Sequence, residues 1–140
     1  MNMKKLKTEI IALCDNASVA NDGKVTITGI FDQFTADKFP AGFMEKFLVV
    51  TINGEPNTTY DLTVRLEKKD VSQNLLNPTM ATAITSQTGK HNMIIRLAQV
   101  GFEKEGEYYF RIFDGKDKIA ETVLYVTKKQ GQENVYRTLN

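Results

Sequence analysis

One histidine, His91, and one cysteine, Cys14, are the groups best suited to proton transfer or nucleophilic attack near neutral pH. A single histidine excludes a two-histidine metal site. A single cysteine excludes both a disulfide framework within the chain and a multi-cysteine zinc site. His91 follows Gly89 and Lys90 at a turn, and no Gly-x-Ser-x-Gly elbow accompanies it. A solvated turn histidine is therefore expected. Cys14 ends the short apolar run of residues 10–14 with no cationic neighbour to stabilise a thiolate. A small buried hydrophobe is expected there. Asp15, Asp22, Asp32 and Asp37 could gather at one end of the fold, as could Asp114 and Asp117, and calcium would want six to eight such oxygens. No Asp-x-Asp-x-Asp run exists, and Lys24, Lys38, Lys116 and Lys118 lie close to these acids, so they read as turn formers. Neither a Walker A sequence nor Gly-x-Gly-x-x-Gly is present. No cofactor, metal or catalytic residue is assigned.

Charge narrows the partners. Eighteen basic and 17 acidic residues give a net charge of +1, too little to steer the chain toward nucleic acid or anionic lipid. Lys4, Lys5 and Lys7 form a small basic arm, and Lys128, Lys129 and Arg137 a small basic tail. Only Tyr109, Arg111 and Phe113 interleave aromatic and basic residues, so solvated termini are expected and nucleic acid is not. No apolar run approaches the roughly 18 residues that a membrane span needs. The basic start and the apolar residues 10–14 fall short of a signal peptide, whose apolar stretch runs to about 7–15 residues. Leu13 before Cys14 is also wrong for lipidation. A lone thiol then fits a reducing cytoplasm.

The elements that must carry any site are strands. Alternation of period two marks residues 7–15, 24–31, 34–39, 59–68, 79–86, 91–100, 107–113 and 118–127, with residues 46–52 nearly continuously apolar and expected to be covered on both faces. Residues 16–23 read as a loop ending in Asn21-Asp22-Gly23. Eight or nine short strands without helices predict a single all-β domain over residues 7–127: an antiparallel two-sheet β-sandwich, immunoglobulin-like, with a flexible arm at 1–6 and a polar tail at 128–140. The expected core is Ala12, Leu13 or Cys14 with Ile27, Val49, Leu62, Val64, Leu66, Ile95, Leu97, Tyr108, Phe110, Leu124 and Val126. Gly106-Glu107-Tyr108-Tyr109-Phe110 has the spacing of a tyrosine corner, in which the Tyr108 hydroxyl would bond backbone upstream; the alternative is an ordinary core aromatic.

Three segments carry a family resemblance: Ala12-Leu13-Cys14-Asp15-Asn16-Ala17-Ser18-Val19, then the Asp22-Gly23-Lys24 turn leading through Gly29-Ile30-Phe31-Asp32, then Phe39-Pro40. Together they resemble a family of small uncharacterised bacterial β-sandwich proteins. The match covers residues 10–52. It implies a β-sandwich and a cytoplasmic setting, and it implies no reaction.

Alternation in the last hairpin sets Tyr108, Phe110 and Ile112 against Tyr109, Arg111 and Phe113. A three-residue turn at Gly115-Lys116-Asp117 would pair Arg111 with Glu121, Tyr109 with Val123, and Phe113 near Ile119. The outer face would then carry Tyr109, Phe113, Ile119, Val123 and Tyr125 around the Arg111–Glu121 pair, a larger apolar cluster than a solvated face normally shows. Either the tail or the loop at 73–78 folds over it, or it meets a protein partner or a second copy in a homodimer. Two function classes follow: a non-catalytic interaction or structural module, and a small-ligand binder or enzyme whose site is assembled from scattered loops.

Overall fold

The computed structural model describes residues 4–130. The tail expected at 128–140 lies outside them beyond Gln130, as do Arg137 and the first three residues of the arm. Nine strands run in chain order: β1 (Lys7–Val19), β2 (Val25–Ile30), β3 (Gln33–Ala36), β4 (Ala41–Asn53), β5 (Thr59–Lys68), β6 (Thr79–Ile84), β7 (Lys90–Phe102), β8 (Gly106–Asp114) and β9 (Asp117–Lys128). They form a four-stranded sheet, β2-β1-β4-β7, and a five-stranded sheet, β3-β9-β8-β5-β6. Placing β4 and β7 in one sheet and β5, β8 and β9 in the other is the immunoglobulin arrangement. All pairs are antiparallel except β3 with β9, which run parallel.

Inward residues of both sheets make one core. Leu48, Val50, Ile52, Leu62, Val64, Leu66, Phe110, Ile112 and Leu124 are fully buried in it. Leu6, expected in the arm, packs against its edge. Of the expected core, two residues depart: Ile27 is half-buried on edge strand β2, and Val49 is buried on the outer face of the four-stranded sheet, away from the core between the sheets. The loop expected at 16–23 is also shorter than its polar residues suggest. Asn16 to Val19 continue β1 and pair with β2, and the chain turns only at Ala20–Lys24. Gly23 makes that turn with φ 86°, a conformation that side chains resist.

One end of the core is aromatic, and a change of phase builds it. Along β4 the inward side chains are Leu48 and Val50, but beyond Met44 and Glu45 the inward residue is Phe43. Opposite, β7 turns Met93, Ile95 and Leu97 inward, then Val100 and Phe102. Gln99, at φ 53°, absorbs the switch. Both strands switch together, so Phe43 still pairs with Val100 and Glu45 with Ala98. Gly42 permits the close approach, since a Cβ there would sit 2.1 Å from the Val100 carbonyl oxygen. The result packs Phe43 edge-to-face with Phe34 and Phe31 and tilted against Phe102, and sets Phe102 edge-on to Tyr108 at 4.8 Å. The Tyr108 hydroxyl donates to the Lys104 carbonyl at 2.5 Å, which is the expected tyrosine corner. Burial pushes the Tyr108 phenol above its ordinary pKa, although its bond to Lys104 works the other way.

Candidate interaction surface

The outer face of the five-stranded sheet is built by alternation on β5, β8 and β9. Arg111 on β8 lies between Arg65 on β5 and Glu121 on β9. The pairing with Glu121 and that of Tyr109 with Val123 are as the sequence suggests. Two arginines directly across a ladder repel each other unless an acid intervenes. Glu67 intervenes, one outward position along from Arg65. Its Oε1 accepts from Arg111 Nη1 at 2.8 Å and its Oε2 from Arg65 Nη2 at 3.1 Å. Arg111 Nε donates to Glu121 Oε1 at 2.6 Å, and Lys118 Nζ donates to the same oxygen at 3.0 Å. The network runs across all three strands.

Its electrostatics follow from geometry. The Glu67 side chain is only 7% exposed. Burial alone would push its carboxyl up, but hydrogen bonds from Arg111 and Arg65 outweigh that and hold it below its ordinary range. Glu121 is likewise held low, chiefly by Arg111. The Arg111 guanidinium also lies 4.8 Å from the Tyr109 ring centroid, a cation–π contact. The Tyr109 hydroxyl donates to Glu107 at 2.8 Å, and that bond raises the phenol pKa.

Tyr109, Arg111, Glu121, Val123 and Tyr125 thus share this face; Tyr125 is 42% exposed and Tyr109, Phe113 and Val123 are half-buried. Phe113 borders a shallow groove of ≈ 530 Å³ with Thr63, Arg65, Glu67 and Ser72. Ile119 does not belong. The turn is two residues, Gly115 and Lys116, with Asp114 paired to Asp117, and a β-bulge follows, so that Phe113 pairs with Lys118. The bulge turns Ile119 in beside Ala120 against the core. Glu67 and Arg65 complete the network from β5, which the hairpin alone does not reveal, and Lys118 and Glu107 join from the hairpin itself.

The loop expected as a cover lies elsewhere. Leu75 N–H donates to the Leu66 carbonyl at 2.7 Å, and Asn74 Oδ1 accepts from the Leu66 and Leu76 amides at 3.1 Å. Residues 74 and 75 therefore continue the edge beside β5, and none of residues 73–78 lines the groove, which is reached only by Ser72 before them. The remaining chemical candidates stay apart. Cys14 is buried, its Sγ 3.7 Å from the Phe47 carbonyl oxygen, and burial, helped by Asp15, pushes its thiol up. Asp15 pairs with Lys46, Asp22 with Lys24 and Asp37 with Lys129. Among the described residues no three His, Cys, Asp or Glu side chains are grouped to hold a metal ion. No helix there is long and apolar enough to cross a membrane.

The fold and this face define an immunoglobulin-like β-sandwich with a charged and aromatic outer sheet. Within that class, residues 9–127 match the profile described as "Family of unknown function (DUF6941)", and the chain belongs to that family. None of the curated proteins matches it. Among solved structures, it is similar to a GH3 beta-glucosidase from Bifidobacterium adolescentis (TM-score 0.51, 8% identity, 88% of this chain and 17% of that one). A beta-glucosidase from Listeria innocua aligns comparably (TM-score 0.50, 10% identity, 88% of this chain and 16% of that one). At such identities the likeness concerns fold alone, and the chain spans about a sixth of those enzymes' length. An immunoglobulin-like protein from Pseudomonas aeruginosa also aligns (TM-score 0.44, 12% identity, 87% of this chain and 96% of that one).

Proposed function

We propose that this protein is a non-catalytic interaction module and that a protein partner docks on the outer face of its five-stranded sheet. One observation carries the reading: Tyr125, Tyr109, Phe113 and Val123 frame a guanidinium, Arg111, already fixed by Glu67 and Glu121. Aromatic residues around an arginine are the composition enriched at the centres of protein interfaces. Here the arginine's rotamer is set before binding, which lowers the entropy cost of association. The groove beside Phe113 is shallow and open, so an extended protein surface fits it better than an enclosed small molecule. A cytoplasmic setting goes with this reading, supported by a lone, buried thiol.

The test is affinity capture from the native host with the wild type and with Tyr125→Glu combined with Phe113→Glu. A partner retained by the wild type and lost by the folded variant is the expected result. Retention by both, or activity on a small molecule that requires His91 or Cys14, would overturn it.

A further inference from the structure

Strand β6 is the outermost strand of the five-stranded sheet, and it lacks the devices that usually protect such an edge. Its six residues, Thr79–Ile84, include no charge, no proline and no glycine. The other edges are guarded. Strand β7 carries Lys90, His91 and Arg96 and is kinked at Gln99. Strand β2 is interrupted by Gly29 at φ 70°. Strand β3 has only four residues and is flanked by Asp32 and Asp37.

The hydrogen-bond phase of β6 is fixed by its neighbours. Thr85 N–H donates to the Thr58 carbonyl at 3.0 Å, so Thr85 faces β5. The antiparallel alternation then turns Ala83, Ala81 and Thr79 toward β5, opposite Tyr60, Leu62 and Val64. Met80, Thr82 and Ile84 are left with their backbone N–H and C=O groups directed to the open edge. Their side chains lie on the outer face, with Met80 65% and Ile84 61% exposed.

We propose that two copies of this chain associate by antiparallel pairing of β6 with β6 about a two-fold axis through Thr82. The occupant is a second copy because the edge is self-complementary in one register only. Centred on Thr82, each of Met80, Thr82 and Ile84 gives and accepts a backbone hydrogen bond, and Met80 meets Ile84 of the other copy. Slipping the centre toward Met80 sets Ile84 against Pro78, which has no N–H to give. Slipping it toward Ile84 sets Met80 against Ser86, whose N–H is already bonded to the Lys90 carbonyl at 2.9 Å. With no charge on the strand, no like charges meet across the axis. This joins the two five-stranded sheets edge to edge. It leaves the aromatic and arginine face open, so the proposal stands independently of the docking surface above.

Sedimentation velocity of the full chain is expected to show a dimer that dilutes to monomer. Thr82→Pro removes an N–H that is directed to the open edge and none that bonds to β5, so it should sediment as a folded monomer. Thr82→Cys should cross-link to a covalent dimer under mild oxidation, since residues opposed in this register lie within disulfide reach. Thr28→Cys on β2 should not. Tyr125→Glu should remain dimeric, which separates this association from docking on the face. A wild type that stays monomeric to about 100 µM, a Thr82→Pro variant that remains dimeric, or a Thr82→Cys variant that fails to cross-link would each overturn the proposal.

Discussion

The two outer faces of the sandwich hide their central residues by opposite means. On the four-stranded sheet, Val49 is 1% exposed and Ala12, Cys14 and Thr51 are buried with it. Lateral neighbours on β1, β4 and β7 shut these small side chains in; Ala12 and Ile94 flank Val49 directly. On the five-stranded sheet the most buried outward side chain is an ionised acid, Glu67, held between two arginines. At Val49 the first face tolerates no charge, because the residues directly beside it, Ala12 and Ile94, are apolar and Arg96 is already engaged by Glu45. The second depends on its charges being present together, since removing one leaves others facing each other. A buried apolar row and a buried ion network can therefore look equally closed and still fail in different ways.

The largest expected effect tests the apolar face. Val49→Asp buries an uncompensated carboxylate and should cost more than about 3 kcal/mol. Val123→Asp, at the half-buried equivalent on the other face, should cost less than about 1 kcal/mol. Urea midpoints measured side by side would check the contrast, and equal losses would erase it. Next comes the network itself. Glu67→Ala leaves Arg65 and Arg111 opposed and should cost about 2–3 kcal/mol.

The pH dependence has a definite sign. Glu67 and Glu121 sit below their ordinary value of 4.5 in the folded state. Their stabilisation is therefore complete above that value and disappears as pH falls through the depressed folded values. Glu67→Gln should flatten the acid limb of the stability profile while leaving its neutral-to-alkaline part parallel to the wild type. An unchanged acid limb would mean that the network contributes nothing.

Two smaller effects sharpen the comparison. Tyr108→Phe removes the bond to the Lys104 carbonyl and should cost about 1 kcal/mol in thermal or urea unfolding. Cys14→Ser should change stability by less than about 1.5 kcal/mol, because the hydroxyl can also turn to the Phe47 carbonyl. The native thiol should react with a disulfide reagent only under unfolding conditions, and rapid labelling of the folded protein would contradict its burial.

The legibility of these features tracks how local their causes are. Strand β5 could be read to its ends because apolar and polar residues alternate cleanly from Tyr60 to Glu67. The pairing of Arg111 with Glu121 could be read because one short turn and one burial pattern fix the register. Glu67 could not be assigned to the same network, since its approach to Arg111 depends on how β5 pairs with β8 across a long stretch of chain. Alternation alone sets Ile119 on the outer face, because a bulge leaves no mark in an alternating pattern until the partner strand is known. The polar residues Asn16 and Ser18 read as loop, yet an exposed hairpin arm can be polar on every outward position. The parallel pairing of β3 with β9 likewise brings together residues from nearly opposite ends of the chain.

The phase change shared by β4 and β7 constrains how this chain can vary in length. Losing Gln99 alone would slide Val100 and Phe102 by one place relative to β4 and rotate them out of the aromatic cluster. Losing Met44 alone would do the same to Phe43. Losing both would restore the ladder as an uninterrupted alternation, with Phe43, Val100 and Phe102 still facing inward. Members of the family that lack the kink should therefore be shorter at both places at once, so that two distant single-residue gaps are inherited as one event.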